Sequence, residues 1–322
     1  MNRIFKIALL GLFSAFSLIS CNNDDTAKVF PPTPYADQYP VDLANIDKFL
    51  DEYHMDVSGT DDVTFTKIPS PNTANLTTIR QQYITPYPVA DRIKTVTRDG
   101  IDYKIYFIPF HEGLGDKPSV VDSVLVSYKG DYLYKKTDAL PTNPVTYTTY
   151  IANAPFDQAQ NPAWFPLSSV VQGWREIMPL FKAANSHTQN SDGTISYSGF
   201  GAGVMFLPSA FGYYNNSVSV IPSYSPLIFS FKMMGLNYVD NDFDRIDSKD
   251  EDVNGNGILS DDDTDGDGHA NYLDQDDDGD GYFTKYEIAN PLGGYYTFAN
   301  IPDCAGNTTG TKRHLDRNCH QP

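Results

Sequence analysis

Residues 165–174 read Phe165-Pro166-Leu167-Ser168-Ser169-Val170-Val171-Gln172-Gly173-Trp174, and they lie between segments of a different rhythm. Upstream, Val124, Val126 and Tyr128 alternate with Leu125, Ser127 and Lys129 until Gly130 ends the run. Further upstream, Ile101, Tyr103, Ile105 and Phe107 alternate with Asp102, Lys104, Tyr106 and Ile108. Downstream, Leu227, Phe229, Phe231 and Met233 alternate once more. A period of two is the mark of a strand, because successive side chains point to opposite faces. Several strands with one short helix between them predict an antiparallel α+β domain. The 22 Tyr and 19 Phe suit β structure.

These segments carry a family resemblance. Val124-x-Val126-x-Tyr128-Lys129-Gly130 resembles the V-x-V-x-Y-x-G strand of the FKBP-type peptidyl-prolyl isomerases. Phe156-Asp157 resembles their F-D pair, and Phe165 to Trp174 their F-x-L-x-x-V-I-x-G-W segment. Pro208-Ser209-Ala210-Phe211-Gly212 resembles the I-P-x-x-x-A-Y-G loop. Ile221-Pro222 through Leu227 to Phe229 resembles the last strand, I-P-P-x-x-x-L-x-F. The blocks occur in family order over residues 100–238.

The resemblance implies a bent antiparallel sheet wrapped around one short helix, with a shallow aromatic bowl between them. By carry-over Trp174 is its floor, with Tyr128, Phe156, Val170, Val171, Phe211 and Phe229 around it. Asp157 and the backbone near Val171 give polar edges, Ile221 lines a loop, and Phe165 stands as wall or core. The implied activity is cis–trans isomerisation of X-Pro bonds in client polypeptides, with macrolides as competing ligands and no catalytic cofactor. The chain departs from the pattern in three places. Phe211 stands where the family has Tyr, with Tyr213 or Tyr214 as substitutes. Residues 131–155 form an insertion, and residues 185–203 are longer than a compact member needs. These departures predict reduced or altered substrate choice.

Toward the N-terminus, Ile46, Phe49, Leu50 and Tyr53 predict one amphipathic helix, with Asn45 as its N-cap. Residues 45–99 otherwise read as a small irregular extension, and residues 21–44 as a polar, Pro-rich tether. Before them Arg3 and Lys6 precede an apolar run from Ile7 to Ile19, too short to span a membrane. The run ends Leu18-Ile19-Ser20-Cys21, which resembles a bacterial lipobox. Residues 1–20 would be the signal peptide and Cys21 the lipidated residue, anchoring the chain in the bacterial envelope, with the outer membrane the expected location. Asp24-Asp25 resembles acidic surface-export signals.

Residues 239–290 differ in kind. Between Asp240 and Glu287 lie 18 acidic and 3 basic residues, while the whole chain has 41 and 23. Asp276-x-Asp278-x-Asp280-Gly281 with Glu287 fits the calcium loop D-x-D-x-D-G-x5-E, and calcium takes six to eight hard oxygens. Asp252, Asn254, Asn256 and Asp263 form a second unit, and Asp263, Asp265, Asp267 and Asp274 a third. Asp240, Asp242, Asp244 and Glu251 form a degenerate first unit, with Arg245 where Gly is expected. Helices of EF-hand length do not fit between the units, so the segment resembles thrombospondin type 3 repeats. It predicts structural Ca2+, against the alternative of an extended acidic linker.

In the C-terminal tail, residues 291–322, Cys304 and Cys319 predict a disulfide, worth roughly 3 kcal/mol by loop closure. His314 and His320 leave zinc as the alternative. A net charge of −18 excludes ordinary duplex nucleic-acid binding. Three functions remain: a lipid-anchored prolyl isomerase or foldase, a non-catalytic module for proline segments, and a calcium-dependent surface protein.

Overall fold

The computed structural model describes residues 31–142 and 144–319. Residues 1–30 lie outside it, and with them the signal peptide and Cys21. The chain opens with α1 (Tyr35–Glu52), followed by the hairpin of β1 (Tyr53–Val57) and β2 (Val63–Lys67). Then come β3 (Ile93–Arg98), β4 (Ile101–His111), β5 (Ser123–Leu140) and β6 (Thr146–Pro166). The short helix α2 (Gln172–Ile177) precedes a small hairpin, β7 (Ser186–Gln189) and β8 (Ile195–Ser198). Strands β9 (Gly201–Leu207) and β10 (Leu227–Asn237) complete a six-stranded sheet in the order β3-β4-β9-β10-β5-β6. Every pairing in it is antiparallel.

Strand alternation sorts the core into two layers. Tyr103, Ile105, Phe107, Met205, Leu207, Phe229 and Phe231 point to the face that carries Trp174 and Ile177 of α2. Tyr106, Ile108, Val204, Phe206 and Ile228 point to the other face, where Ile46, Phe49 and Leu50 of α1 and Met55 and Val63 of the first hairpin cover them. Tyr106 and Ile108, the out-of-phase members of the predicted strand, are therefore buried rather than exposed. The N-terminal extension is a second packing layer.

Two boundaries move. The helix predicted from Asn45 begins at Tyr35, inside the predicted tether, and Asn45 sits in its interior. Pro40, Asp37, Gln38 and Asp42 hide its first half from a periodicity argument. Tertiary contacts supply what propensity lacks: the buried Asp42 carboxylate accepts from Ser209 N (2.7 Å), Ser209 Oγ (2.6 Å) and Gln38 (2.7 Å). The predicted insertion at 131–155 is mostly a continuation of β5 and β6, paired from Asp131↔Pro155 to Leu140↔Thr146. Its base packs through Leu133 and Ile151 against the α1 layer.

Glycine matters at two close approaches. A Cβ on Gly173 would stand 2.3 Å from Leu207 Cδ1, so its absence lets α2 press onto β9. A Cβ on Gly130 would stand 2.6 Å from Phe156 Cζ, so the ring lies over the bare backbone.

Candidate functional site

The helix face of the sheet holds a cluster of aromatic rings. Trp174 is 3 % exposed. Tyr128, Phe229 and Phe165 meet it edge-on at 5.2, 5.4 and 5.7 Å between centroids. Phe156 stands edge-on to Phe229 at 5.6 Å. Phe165 touches both Trp174 and Tyr128, so it is part of the ring cluster. Irregular pairing of β5 with β6, between Val126 and Tyr128 and again between Gly130 and Asp131, brackets this region. Such breaks bend a strand and re-aim its side chains, and here they flank Phe156 and Asp157. Val170 and Val171 are half-buried at the start of α2, and Ile221 is buried against the same cluster.

The polar edge has two parts. Tyr128 Oη donates to Asp157 Oδ2 at 2.5 Å. Burial, then this bond to a carboxylate, push the Tyr128 hydroxyl pKa upward, so it stays protonated. The backbone N–H of Val171, at the N-cap of α2, meets no acceptor among the described residues.

Phe211 is a correction. It is fully buried, packed edge-on to Tyr103 at 5.1 Å beneath the 208–214 loop, and offers no surface to a ligand. Tyr213, two residues on, is half-buried against the cluster. Burial and then Asp157 raise its pKa, and its own hydroxyl adds to the upward push on Tyr128. Tyr214 turns away, its hydroxyl donating to the Thr33 carbonyl. Of the two tyrosines left open by the sequence, Tyr213 is the one packed on the ring cluster and within electrostatic reach of Asp157.

The acidic segment folds as four similar loops. At position one, Asp240, Asp252, Asp263 and Asp276 each accept from the amide five residues on, at 2.8–3.1 Å. At position five, Asp244, Asn256, Asp267 and Asp280 each accept from the amide two residues on, all at 2.7 Å. Asp240, Asp252 and Asp263 also accept through their second oxygen, from the Phe243, Asn256 and Gly266 amides. Carboxylate oxygens converge within 4.8 Å of one another in Asp240/Asp242/Asp244, Asp263/Asp265/Asp267 and Asp276/Asp278/Asp280. In the second loop the Asn254 and Asn256 amides donate to Asp261, and Asn254 also to Asp262. Asp263 instead heads the third loop.

Several oxygens of these acids have no partner. Both oxygens of Glu287, Oδ2 of Asp278 and Oδ1 of Asp276 are buried without a hydrogen bond. Burial and neighbouring carboxylates raise Glu287 to about 8 and Asp278 to about 6. Asp274 is raised by burial, with Asp267 and Asp265 adding to it. Orphaned carboxylate oxygens facing each other suit a hard divalent cation. The tail closes with the Cys304–Cys319 disulfide, which takes both thiols out of reach of a zinc site. His314 is buried near Phe298.

A family model described as the C-terminal of BamM matches residues 241–311. No curated protein matches the chain. A solved peptidyl-prolyl cis-trans isomerase from Pseudomonas syringae pv. tomato is similar at 15 % identity over 65 % of this chain and 99 % of that one, with a TM-score of 0.33. FkpA from Escherichia coli is similar at 20 % identity over 44 % of this chain and 51 % of that one, with a TM-score of 0.29. Overlays this loose fix neither fold nor chemistry, which rest on the pairing, rings and polar atoms above.

Proposed function

We propose that the protein is a peptidyl-prolyl cis–trans isomerase of the FKBP type, acting on X-Pro bonds of polypeptides outside the cytoplasm. One observation carries the reading. Tyr128, Phe156, Phe165, Trp174 and Phe229 come from four separate sequence blocks that resemble one family, and they meet in a single ring cluster. Asp157, Tyr213 and the free Val171 N–H border it.

An X-Pro amide rotates over a barrier of about 20 kcal/mol because its C–N bond is partly double. At the twisted transition state that resonance is lost and the amide becomes less dipolar. A water-poor aromatic site disfavours the planar, polar ground state relative to the twisted one. Trp174 supplies the floor for the proline ring, and the Val171 N–H and Tyr213 hydroxyl hold the flanking carbonyls. No nucleophile or general base is required. Lowering the barrier by ~5 kcal/mol gives a several-thousandfold acceleration.

In the same reading Cys21 carries a lipid anchor in the bacterial envelope, with the polar stretch after it leading to α1. The loops headed by Asp252, Asp263 and Asp276 bind structural Ca2+, supported by their repeated backbone geometry and, in the loop headed by Asp276, by orphaned oxygens.

The test is isomerisation of short X-Pro peptides, with Trp174→Ala as control and a macrolide as competitor. Turnover that the variant loses and the macrolide blocks supports the proposal. A flat result from well-folded protein leaves a site that binds proline segments without turning them over.

A further inference from the structure

The first acidic loop lacks glycine, yet its backbone takes the same course as the others. Phe243 and Arg245 have φ of 66° and 86°, where the fourth loop has Gly279 and Gly281 at 64° and 94°. Left-handed backbone at a non-glycine residue costs about 1–2 kcal/mol. The loop also contains three deeply buried acids: Asp244 is 0 % exposed, the lowest of the segment, Glu251 3 % and Asp242 7 %. Asp277, 2 % exposed, reaches the same place from the fourth loop, and Asp244, Glu251 and Asp277 present oxygens within 4.8 Å of one another.

These oxygens lack protein partners. Both of Glu251, both of Asp277, and Oδ2 of Asp242 and of Asp244 are buried without a hydrogen bond. The nearby cations are engaged elsewhere. Lys249 pairs with Asp250 at 2.6 Å, and Arg245 lies over the Tyr295 ring at 5.4 Å. Asp277 is held in position by its own backbone, whose N–H donates to Thr284 Oγ1 (3.2 Å), while Gln275 donates to the Asp242 carbonyl (2.5 Å). Four carboxylates packed together without a counter-charge are unfavourable unless protonated or bound to a cation. Asp244, Glu251 and Asp277 bring hard oxygens within 4.8 Å of one another, Asp242 adjoins them through Asp244, and together the four residues carry six buried oxygens without a hydrogen bond, a donor set that suits calcium.

We propose that Asp242, Asp244, Glu251 and Asp277 hold a buried calcium ion, with Asp277 supplied across the segment by the last loop. The ion is then a cross-link between the first and fourth loops. A simple array of independent loops has no such tie. Its position next to β10, where Val239 N donates to Asp122 Oδ1 (3.0 Å), fastens the acidic segment to the sheet domain.

The proposal rests on the reading of the segment as calcium-binding, and the test separates the two. Calcium is titrated calorimetrically into the full chain and into Glu251→Gln, Asp277→Asn, the double variant and Asp280→Asn. Glu251→Gln and Asp277→Asn should each lose the same single ion, or bind it at least roughly tenfold more weakly, and the double variant should lose no more. Asp280→Asn should lose a different ion. Thermal melts give a second, independent readout. Neutralising either residue removes repulsion in chelator and a ligand in calcium, so melting rises in the first and falls in the second. An unchanged ion count in Asp277→Asn, while Asp280→Asn loses one, overturns the composite site alone. A shift of the same sign in both conditions also overturns it. No calcium uptake by the parent protein overturns both readings.

Discussion

The exchange of roles between Phe211 and Tyr213 gives the sharpest prediction. The family pattern puts the pocket hydroxyl at position 211, whereas in the proposed function Tyr213 supplies it. Tyr213→Phe removes one donor at the rim of a half-buried site and leaves the ring in place. A net hydrogen bond of about 1 kcal/mol corresponds to a loss of roughly fivefold in kcat/KM. Phe211→Tyr restores the family residue but adds a hydroxyl to a side chain of 0 % exposure. The adjacent Arg98 is already engaged with Gln172, Ala210 and Tyr35, so the new group has no ready partner. Burying it costs about 1–3 kcal/mol, read as a fall of several degrees in Tm with no gain in turnover. Isomerisation is followed by NMR exchange on an X-Pro peptide, which needs no coupling protease. The reasoning is refuted if Phe211→Tyr raises kcat/KM without loss of stability while Tyr213→Phe leaves it unchanged.

Asp42→Ala strips the buried Ser209 amide and hydroxyl of their acceptor, and should cost about 3 kcal/mol in urea unfolding and speed amide exchange in the 208–214 loop. Unchanged exchange there would mean that α1 does not brace the loop. Burial, and then Lys312 and Arg313, depress His314 to about 3. The folded state therefore keeps it neutral: its contribution is complete above pH ~6.5 and is lost as pH falls toward 3, by a few kcal/mol at most. His314→Phe should abolish that pH dependence in hydrogen exchange of the tail, and a persistent acid slope would assign it to another group. Chelation should lower peptide turnover a few-fold, and added calcium should restore it, because the second acidic loop lies against α2. Gly257–Ser260 and Tyr272 share a cleft with Gln172, Arg175 and Glu176. Identical kinetics in chelator and calcium would uncouple the segment from the site.

The strands and the ring cluster were legible because two separate codes agree there. Period two gives β4, β5 and β10, and residue identity at fixed spacing marks Tyr128, Trp174 and Phe229. The first half of α1 was not legible, because its stability comes from Ser209, a residue far along the chain. The second face of the sheet was missed for a related reason. Tyr106 and Ile108 look like interruptions of an alternating strand until a partner layer exists to bury them. The choice between Tyr213 and Tyr214 stayed open because a motif fixes spacing along the chain, while which hydroxyl turns toward the ring cluster depends on the course of the loop. In the acidic segment the repeat located the loops, but Asp277 sits between repeat positions and is recognisable only from its burial.

The helix α2 links the two chemistries of the chain. Its inner side carries Trp174, and its outer side meets the second acidic loop. A helix of six residues is too short to hold its own conformation in water, so its geometry depends on what packs on both sides. On the inner side that support is fixed by close packing, because Leu207 of β9 lies against Gly173. On the outer side it depends on a segment dense in like charge. Without neutralisation those carboxylates repel, and the loops have few apolar residues to oppose them: Ile246, Ile288 and Ile301 form the only buried apolar cluster there among the described residues. Cations that hold the loops would therefore hold the outer wall of α2 as well. The placement of the acidic segment then has a physical role in the site, which a detached, freely swinging linker of the same composition would not have.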